Sequence, residues 1–265
     1  MKNGCVKIGD TEMYYVSFGR GNRNLAVLPG LSDGLATVKG KAIILSSPYR
    51  RFLKQYRVYM FSRKNRMPEG YSIRDMARDQ ALAMKSLGIE KASVLGVSQG
   101  GMIAQYLAID FPQMVEKLVL AVTAPYANET VKDAVQSWIG FAEKGDHLSL
   151  MVDTAEKMYS KAYLDKNRRL FPLVARFTKP KSYERFFSNA YAILGFDARE
   201  DLGKISCPSL IIAGSDDHTV GNEAAHELSK LIKDSKVHIY EGLGHCAFEE
   251  ARDFYDRVYE FCEAN

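Results

Sequence analysis

Gly96-Val97-Ser98-Gln99-Gly100 is a G-x-S-x-G element set between a strand-like run and a helix-like run. Upstream, Lys91-Ala92-Ser93-Val94-Leu95 is short and apolar, the composition of a buried strand. Downstream, residues 101–108 bring apolar side chains at helical spacing among good helix formers. A strand turning sharply into a helix forces its central residue into a strained backbone conformation. Small residues two positions either side then prevent clashes. The spacing predicts a Ser98 hydroxyl raised above the end of a sheet, facing a helix N-terminus. It also aims the Gln99 amide at the place where a carbonyl oxygen would gain negative charge. The bare pattern is weak, and the strand before it and the helix after it make it specific.

The same alternation extends outward. Residues 5–8 and 11–18 alternate in strand fashion about Gly9-Asp10, predicting an antiparallel hairpin. Residues 25–28, ending at Pro29-Gly30, and residues 57–61 read as further strands. Ser72 opens an amphipathic helix with apolar Ile73, Met76, Ala77, Ala81, Met84 and Leu87; Asp75 completes its cap and Gly88 stops it. Residues 115–122 form the next strand. Strand signals then vanish over residues 126–196, which are helical in pattern and rich in Met and aromatic residues. A strand at 209–213, a helix at 223–232, a strand at 236–240 and a closing helix at 248–262 follow. This order implies an α/β fold with a mostly parallel sheet covered on both faces. Residues 1–125 and 197–265 are expected to form the core, and residues 126–196 a helical cap inserted after the sixth strand.

Composition narrows the function classes. Apolar residues make up 46% and charged residues 26% of the 265, ordinary values for a globular chain. The net charge of +4, with acids interspersed, gives no nucleic-acid footprint. No apolar stretch approaches a membrane span, so no membrane insertion is expected, and Met1-Lys2-Asn3-Gly4 leads into no signal-like apolar region. Cys5, Cys207, Cys246 and Cys262 are far apart and fit reduced thiols in a cytoplasmic protein.

A serine hydroxyl attacks a carbonyl at neutral pH only when a base takes its proton, and that base needs a carboxylate to fix its tautomer. Of five histidines, His245 lies in the loop after the last expected strand, flanked by Gly242 and Gly244. His226 and His238 fall inside a helix and a strand, and His147 lies in the helical insertion. The acid should follow the strand at 209–213, where Gly214-Ser215-Asp216-Asp217-His218 offers both Asp216 and Asp217; spacing alone leaves the choice open. Asp216, Asp217 and His218 have no matching ligand cluster elsewhere, so neither a metal nor a cofactor is expected.

With these motifs the chain resembles the α/β-hydrolase superfamily, in its lid-bearing form that includes small esterases, enol-lactonases and carbon–carbon bond hydrolases. The likeness runs from the first hairpin to the closing helix. It rests on Gly96-Val97-Ser98-Gln99-Gly100-Gly101, Ala213-Gly214-Ser215-Asp216-Asp217, Gly244-His245 and the connection at residues 111–115. The resemblance implies an eight-stranded sheet, a Ser98–His245–Asp217 triad, and an oxyanion hole from the Leu31 and Gln99 amides. Two places depart from the family pattern. Pro29-Gly30 stands where His-Gly is usual, and Ser62-Arg63-Lys64-Asn65-Arg66 replaces a compact Asp-Arg-Gly turn.

The implied activity is hydrolysis of a small carboxylic ester. Carbon–carbon bond cleavage, lactone opening, thioester cleavage or perhydrolysis would use the same residues, and a non-catalytic ligand receptor is the alternative of another class. Dehalogenase chemistry is disfavoured, because its nucleophile is normally an aspartate at the position of Ser98. Trp138, Met158 and Phe187 are candidate substrate contacts from the cap, although most of its aromatic residues are expected to serve packing. Lys157, Lys161, Arg168, Arg169 and Arg185 are candidates to attract an anionic substrate, but, interleaved with Glu156, Asp165 and Glu184, they read better as a solvated helix face.

Overall fold

The computed structural model describes residues 1–264. Its strands are β1 (Lys2–Ile8), β2 (Thr11–Phe18), β3 (Arg23–Leu28), β4 (Tyr56–Lys64), β5 (Ala92–Val97), β6 (Val115–Ala121), β7 (Ser209–Gly214) and β8 (Ser235–Tyr240). They form one sheet in the order β1-β2-β4-β3-β5-β6-β7-β8. The β1–β2 hairpin pairs antiparallel, β2 joins β4 antiparallel, and every pairing from β4 to β8 is parallel.

The helices are α1 (Ala42–Ser46), α2 (Ile73–Ser86), α3 (Gln99–Asp110), α4 (Glu129–Glu143), α5 (His147–Met158), α6 (Lys161–Asn167), α7 (Phe171–Thr178), α8 (Glu184–Leu194), α9 (Ala224–Leu231), α10 (Ala247–Glu250) and α11 (Phe254–Glu263). Buried side chains of α2, α3 and α9 cover one face of the sheet, and those of α1 and α11 cover the other. β5 is buried throughout: Ala92 and Val94 enter the first layer, Leu95 and Val97 the second. That two-sided burial explains its unbroken apolar run. α2 carries the expected reciprocal cap, Ser72 accepting from the Asp75 amide and Asp75 accepting from the Ser72 amide.

Helices α4 to α8 all lie between β6 and β7. The two ends of this segment meet at an antiparallel bridge between Tyr126 and Asp197, and the Arg199 guanidinium lies 3.9 Å from the Tyr126 ring centroid.

Three sequence expectations need correction. The closing helix is broken, because Ala251 takes an extended conformation between α10 and α11. The break lets Glu249 and Glu250 reach the helical insertion while Phe254 turns into the core. β6 ends at Ala121, since Val122 has φ 47 and leaves the strand. β4 runs on to Lys64, so Ser62 and Arg63 belong to a strand and not to a loop.

Candidate active site

Ser98 follows β5 and precedes α3 with φ 53 and ψ −121. Such a conformation costs a non-glycine residue about 1–3 kcal/mol and persists only where its surroundings hold it. A Cβ on Gly96 would lie 2.6 Å from the Gly101 Cα, and one on Gly101 would lie 2.6 Å from the Thr123 Cβ. A Cβ on Gly100 would overlap the Leu28 carbonyl. The glycines therefore do more than relax the turn: they seat α3 against the ends of β3 and β6. β6 clamps the elbow from beside it. The Ser98 amide donates to the Ala121 carbonyl at 2.9 Å, and the Thr123 hydroxyl donates to the Ser98 carbonyl at 2.8 Å. Between those two partners stands Val122, the other non-glycine residue at positive φ among the described residues.

The histidine arrives from the loop after β8. A Cβ on Gly244 would lie 2.7 Å from the Met158 carbonyl, so only glycine lets that loop pass under the end of α5. His245 is 1% exposed; its Nε2 lies 2.9 Å from Ser98 Oγ and its Nδ1 lies 2.8 Å from Asp217 Oδ2. The Thr219 and Val220 amides donate to Asp217 Oδ1 at 2.8 and 3.0 Å, which fixes the carboxylate plane. Burial alone would push the Asp217 carboxyl up; the His245 ring and the two amides outweigh it and hold it below its ordinary value. An ionised Asp217 accepts from Nδ1–H and leaves the Nε2 lone pair for the serine hydroxyl.

The other candidates lie elsewhere. Asp216 is exposed and accepts from the Ser215 hydroxyl at 3.0 Å. His218 and His226 are exposed. His147 is buried, with Nε2 3.2 Å from Thr178 Oγ1 and Nδ1 3.0 Å from the Tyr183 hydroxyl. Among the described residues no group of three or more His, Cys, Asp or Glu is placed to hold a metal ion.

Leu31 opens a short 3-10 turn, Leu31–Gly34, and Gln99 opens α3. First-turn amides have no intrahelical acceptor, which leaves both free to face a ligand. The turn lies close to the nucleophile candidate: a Cβ on Gly30 would sit 3.3 Å from the Ser98 Cβ.

Behind these amides lies a buried polar cluster that sequence reasoning missed. Arg63 is 1% exposed; its Nη2 donates to Gln99 Oε1 at 2.9 Å, and its Nη1 lies 3.8 Å from Asp33 Oδ2. Burial pushes the Arg63 guanidinium down to about 10, with Asp33 pulling it back up, so it stays charged at neutral pH. Asp33 Oδ2 also accepts from the Arg63 amide at 2.9 Å and from Arg185 Nη2 at 2.6 Å. The Gln99 side chain in turn donates to the Asn189 carbonyl at 2.9 Å. Gln99 and the 3-10 turn are thus tied both to β4 and to α8. Arg185, expected on a solvated face, is instead drawn in by this cluster. The departure at residues 62–66 was the visible signal, but nothing local showed that Arg63 points inward.

Of the candidate substrate contacts, Trp138 is buried within the core packing. Phe187 lines a groove between residues 65–72 and α8, away from the triad candidates. Met158 ends α5 beside the histidine loop, its carbonyl accepting from the Cys246 amide at 2.8 Å. Burial pushes the Cys246 thiol well up, which favours its protonated form.

Comparison with known proteins agrees with this architecture. A family model described as alpha/beta hydrolase fold matches residues 54–252. The chain is 25% identical over 240 residues to 3-oxoadipate enol-lactonase 2 of Acinetobacter baylyi, covering 88% of this chain and 86% of the relative. It is 27% identical over 206 residues to the AB hydrolase superfamily protein YisY of Bacillus subtilis, covering 73% and 74%. Among solved structures, MGS-M2, an alpha/beta hydrolase enzyme from a Medee basin deep-sea metagenome library, superposes with a TM-score of 0.87 at 18% identity, over 99% of this chain and 98% of that one. With the family model spanning most of its length, residues 54–252, the chain belongs to the α/β-hydrolase fold family.

Proposed function

We propose that this protein is a serine hydrolase that cleaves a small carboxylic ester or lactone through Ser98, His245 and Asp217. The observation that carries the reading is the hydrogen-bonded line from Ser98 Oγ to His245 Nε2 at 2.9 Å and from His245 Nδ1 to Asp217 Oδ2 at 2.8 Å. In this reading His245 takes the serine proton as Oγ attacks the carbonyl carbon, and Asp217 stabilises the imidazolium. The Leu31 and Gln99 amides stabilise the tetrahedral oxyanion. Its collapse breaks the bond to the leaving oxygen, which takes the proton from His245. Water, deprotonated by the same ring, then attacks the acyl-serine and frees the acid. No cofactor enters any step.

The similarity to an enol-lactonase supports an oxygen leaving group and a small-molecule substrate. The helices of residues 126–196 act as a cap over the strand ends, and the docking of α8 on the 3-10 turn through Arg185 supports that role. A fluorophosphonate probe should label Ser98, and p-nitrophenyl acetate and butyrate should be turned over by the wild type. Ser98→Ala should lose at least about 10⁴-fold in kcat. Unchanged turnover in Ser98→Ala, or a label on another residue, would sink the reading. Equal inactivity of both proteins, with a small ligand raising the melting temperature, would favour the receptor.

A further inference from the structure

Helix α7 turns its apolar side outward. Leu170, in the turn just before it, and Leu173, Val174 and Phe177 of the helix recur at the i, i+3, i+4, i+7 spacing that normally faces a core, yet Leu173 is 55% and Phe177 79% exposed. Inward the helix presents a small residue, Ala175, 4% exposed. Scattered apolar surface residues need no explanation, but a contiguous stripe on one helix does.

Charge tells what would cover it. Residues 161–181 hold seven Lys and Arg against a single acid, Asp165, an excess larger than the +4 of the whole chain. Lys166, Arg169, Arg176, Lys179 and Lys181 are exposed and form no ion pair among the described residues. A second copy docked through this patch by a two-fold axis would set these cations against themselves. An outward apolar stripe with cations on its flanks matches an anionic lipid surface, where the stripe enters the headgroup–acyl boundary and the cations meet phosphate. No helix among the described residues is long and apolar enough to cross a bilayer, so the contact is one of adsorption.

We propose that α7 and its basic flanks dock the protein on an anionic phospholipid bilayer. The surface holds none of the three triad residues, so this inference and the hydrolase reading can fail separately. The test is flotation of the full chain with vesicles of equimolar phosphatidylglycerol and phosphatidylcholine, against vesicles of phosphatidylcholine alone. Binding at low salt should be at least about tenfold stronger to the anionic vesicles and should fall as salt rises. Leu173→Asp with Phe177→Asp should lower it at least about tenfold, and Arg169→Glu with Arg176→Glu should lower it similarly. Phe177→Asp alone, at a side chain already exposed, guards against misfolding, and its melting temperature and ester turnover should match wild type. Equal binding to both lipids, no binding to either at low salt, or binding indifferent to the variants would overturn the proposal. So would a concentration-dependent dimer abolished by the apolar variants without vesicle binding, which would assign the stripe to a second copy.

Discussion

The elbow after β5 and the helices α5 to α7 differ in how completely their neighbours determine them. At the elbow, β3, β5, β6 and α3 converge on Ser98 through backbone hydrogen bonds and glycine contacts closer than any side chain permits. Even the charged groups behind it, Asp33 and Arg63, are buried and paired. Beyond the bridge where its ends meet, the helical segment is tied to the sheet domain at two separate points. On one side Arg185 of α8 grips Asp33; on the other, Tyr159 donates to Glu249 at 2.6 Å and the Ser160 amide donates to Glu250 at 3.0 Å. Between these anchors α7 buries only Ala175. Strain is therefore stored where many contacts can sustain it, whereas α7 is tied mainly to its neighbours within the helical segment, as by Thr178 to His147.

Experiments can press on each side of that contrast. After Ser98 itself, the largest effect is expected at the acid: Asp217→Asn should lower kcat about 10⁴-fold, by favouring the wrong histidine tautomer, with little change in melting temperature. Steady-state kinetics with circular dichroism would check it, and a small loss would mean that Asp217 does not orient His245. Next comes Gly100→Ala, whose added methyl overlaps the Leu28 carbonyl. Overpacking of this kind costs about 1–3 kcal/mol, a fall of roughly 2–12 °C in Tm. Calorimetry showing no fall would mean that the elbow is softer than its contacts imply.

Arg185→Ala tests the anchor itself. It leaves Arg63 to neutralise Asp33 but removes the side-chain hydrogen bonds that tie the 3-10 turn to α8. A loss of about tenfold in kcat is expected, less than the hundredfold typical of removing an oxyanion donor outright, with KM changing little. A change confined to KM would make Arg185 a substrate contact instead. The smallest effect concerns pH. Burial, with help from the Lys179 charge, holds His147 below its ordinary value of 6.5, so the folded segment favours the neutral ring. The stability it contributes is complete above pH 6.5 and is lost as pH falls below it through the folded value. Hydrogen-exchange protection over residues 147–183, corrected for the intrinsic amide rate at each pH, should fall from pH 7 to pH 5 more than protection in β5 and β6. His147→Gln should remove the difference, and an equal fall in both regions would break the comparison.

The strands and helices of the sheet could be read from the chain because each carries its own period: two for the hairpin, continuous apolar runs for strands buried on both faces, 3.6 for α2. The break before Phe254 and the reach of β4 to Lys64 were hidden, since both follow from what neighbouring elements demand. The triad candidates were legible for a different reason. Serine between glycines, and histidine and aspartate after strand-like runs, are local patterns tied to where strands end.

By itself, then, the order of residues determined the α/β architecture, the helical interruption after the sixth strand and the candidates Ser98, His245 and the Asp216–Asp217 pair. Only the tertiary structure shows Asp217 against His245 with Asp216 turned to solvent, Arg63 turned inward onto Gln99, and the apolar side of α7 uncovered. The physical reason is range. Periodicity and turn chemistry act over a few neighbouring residues, whereas the direction of a side chain and the partner of a charge are set by elements far away in sequence.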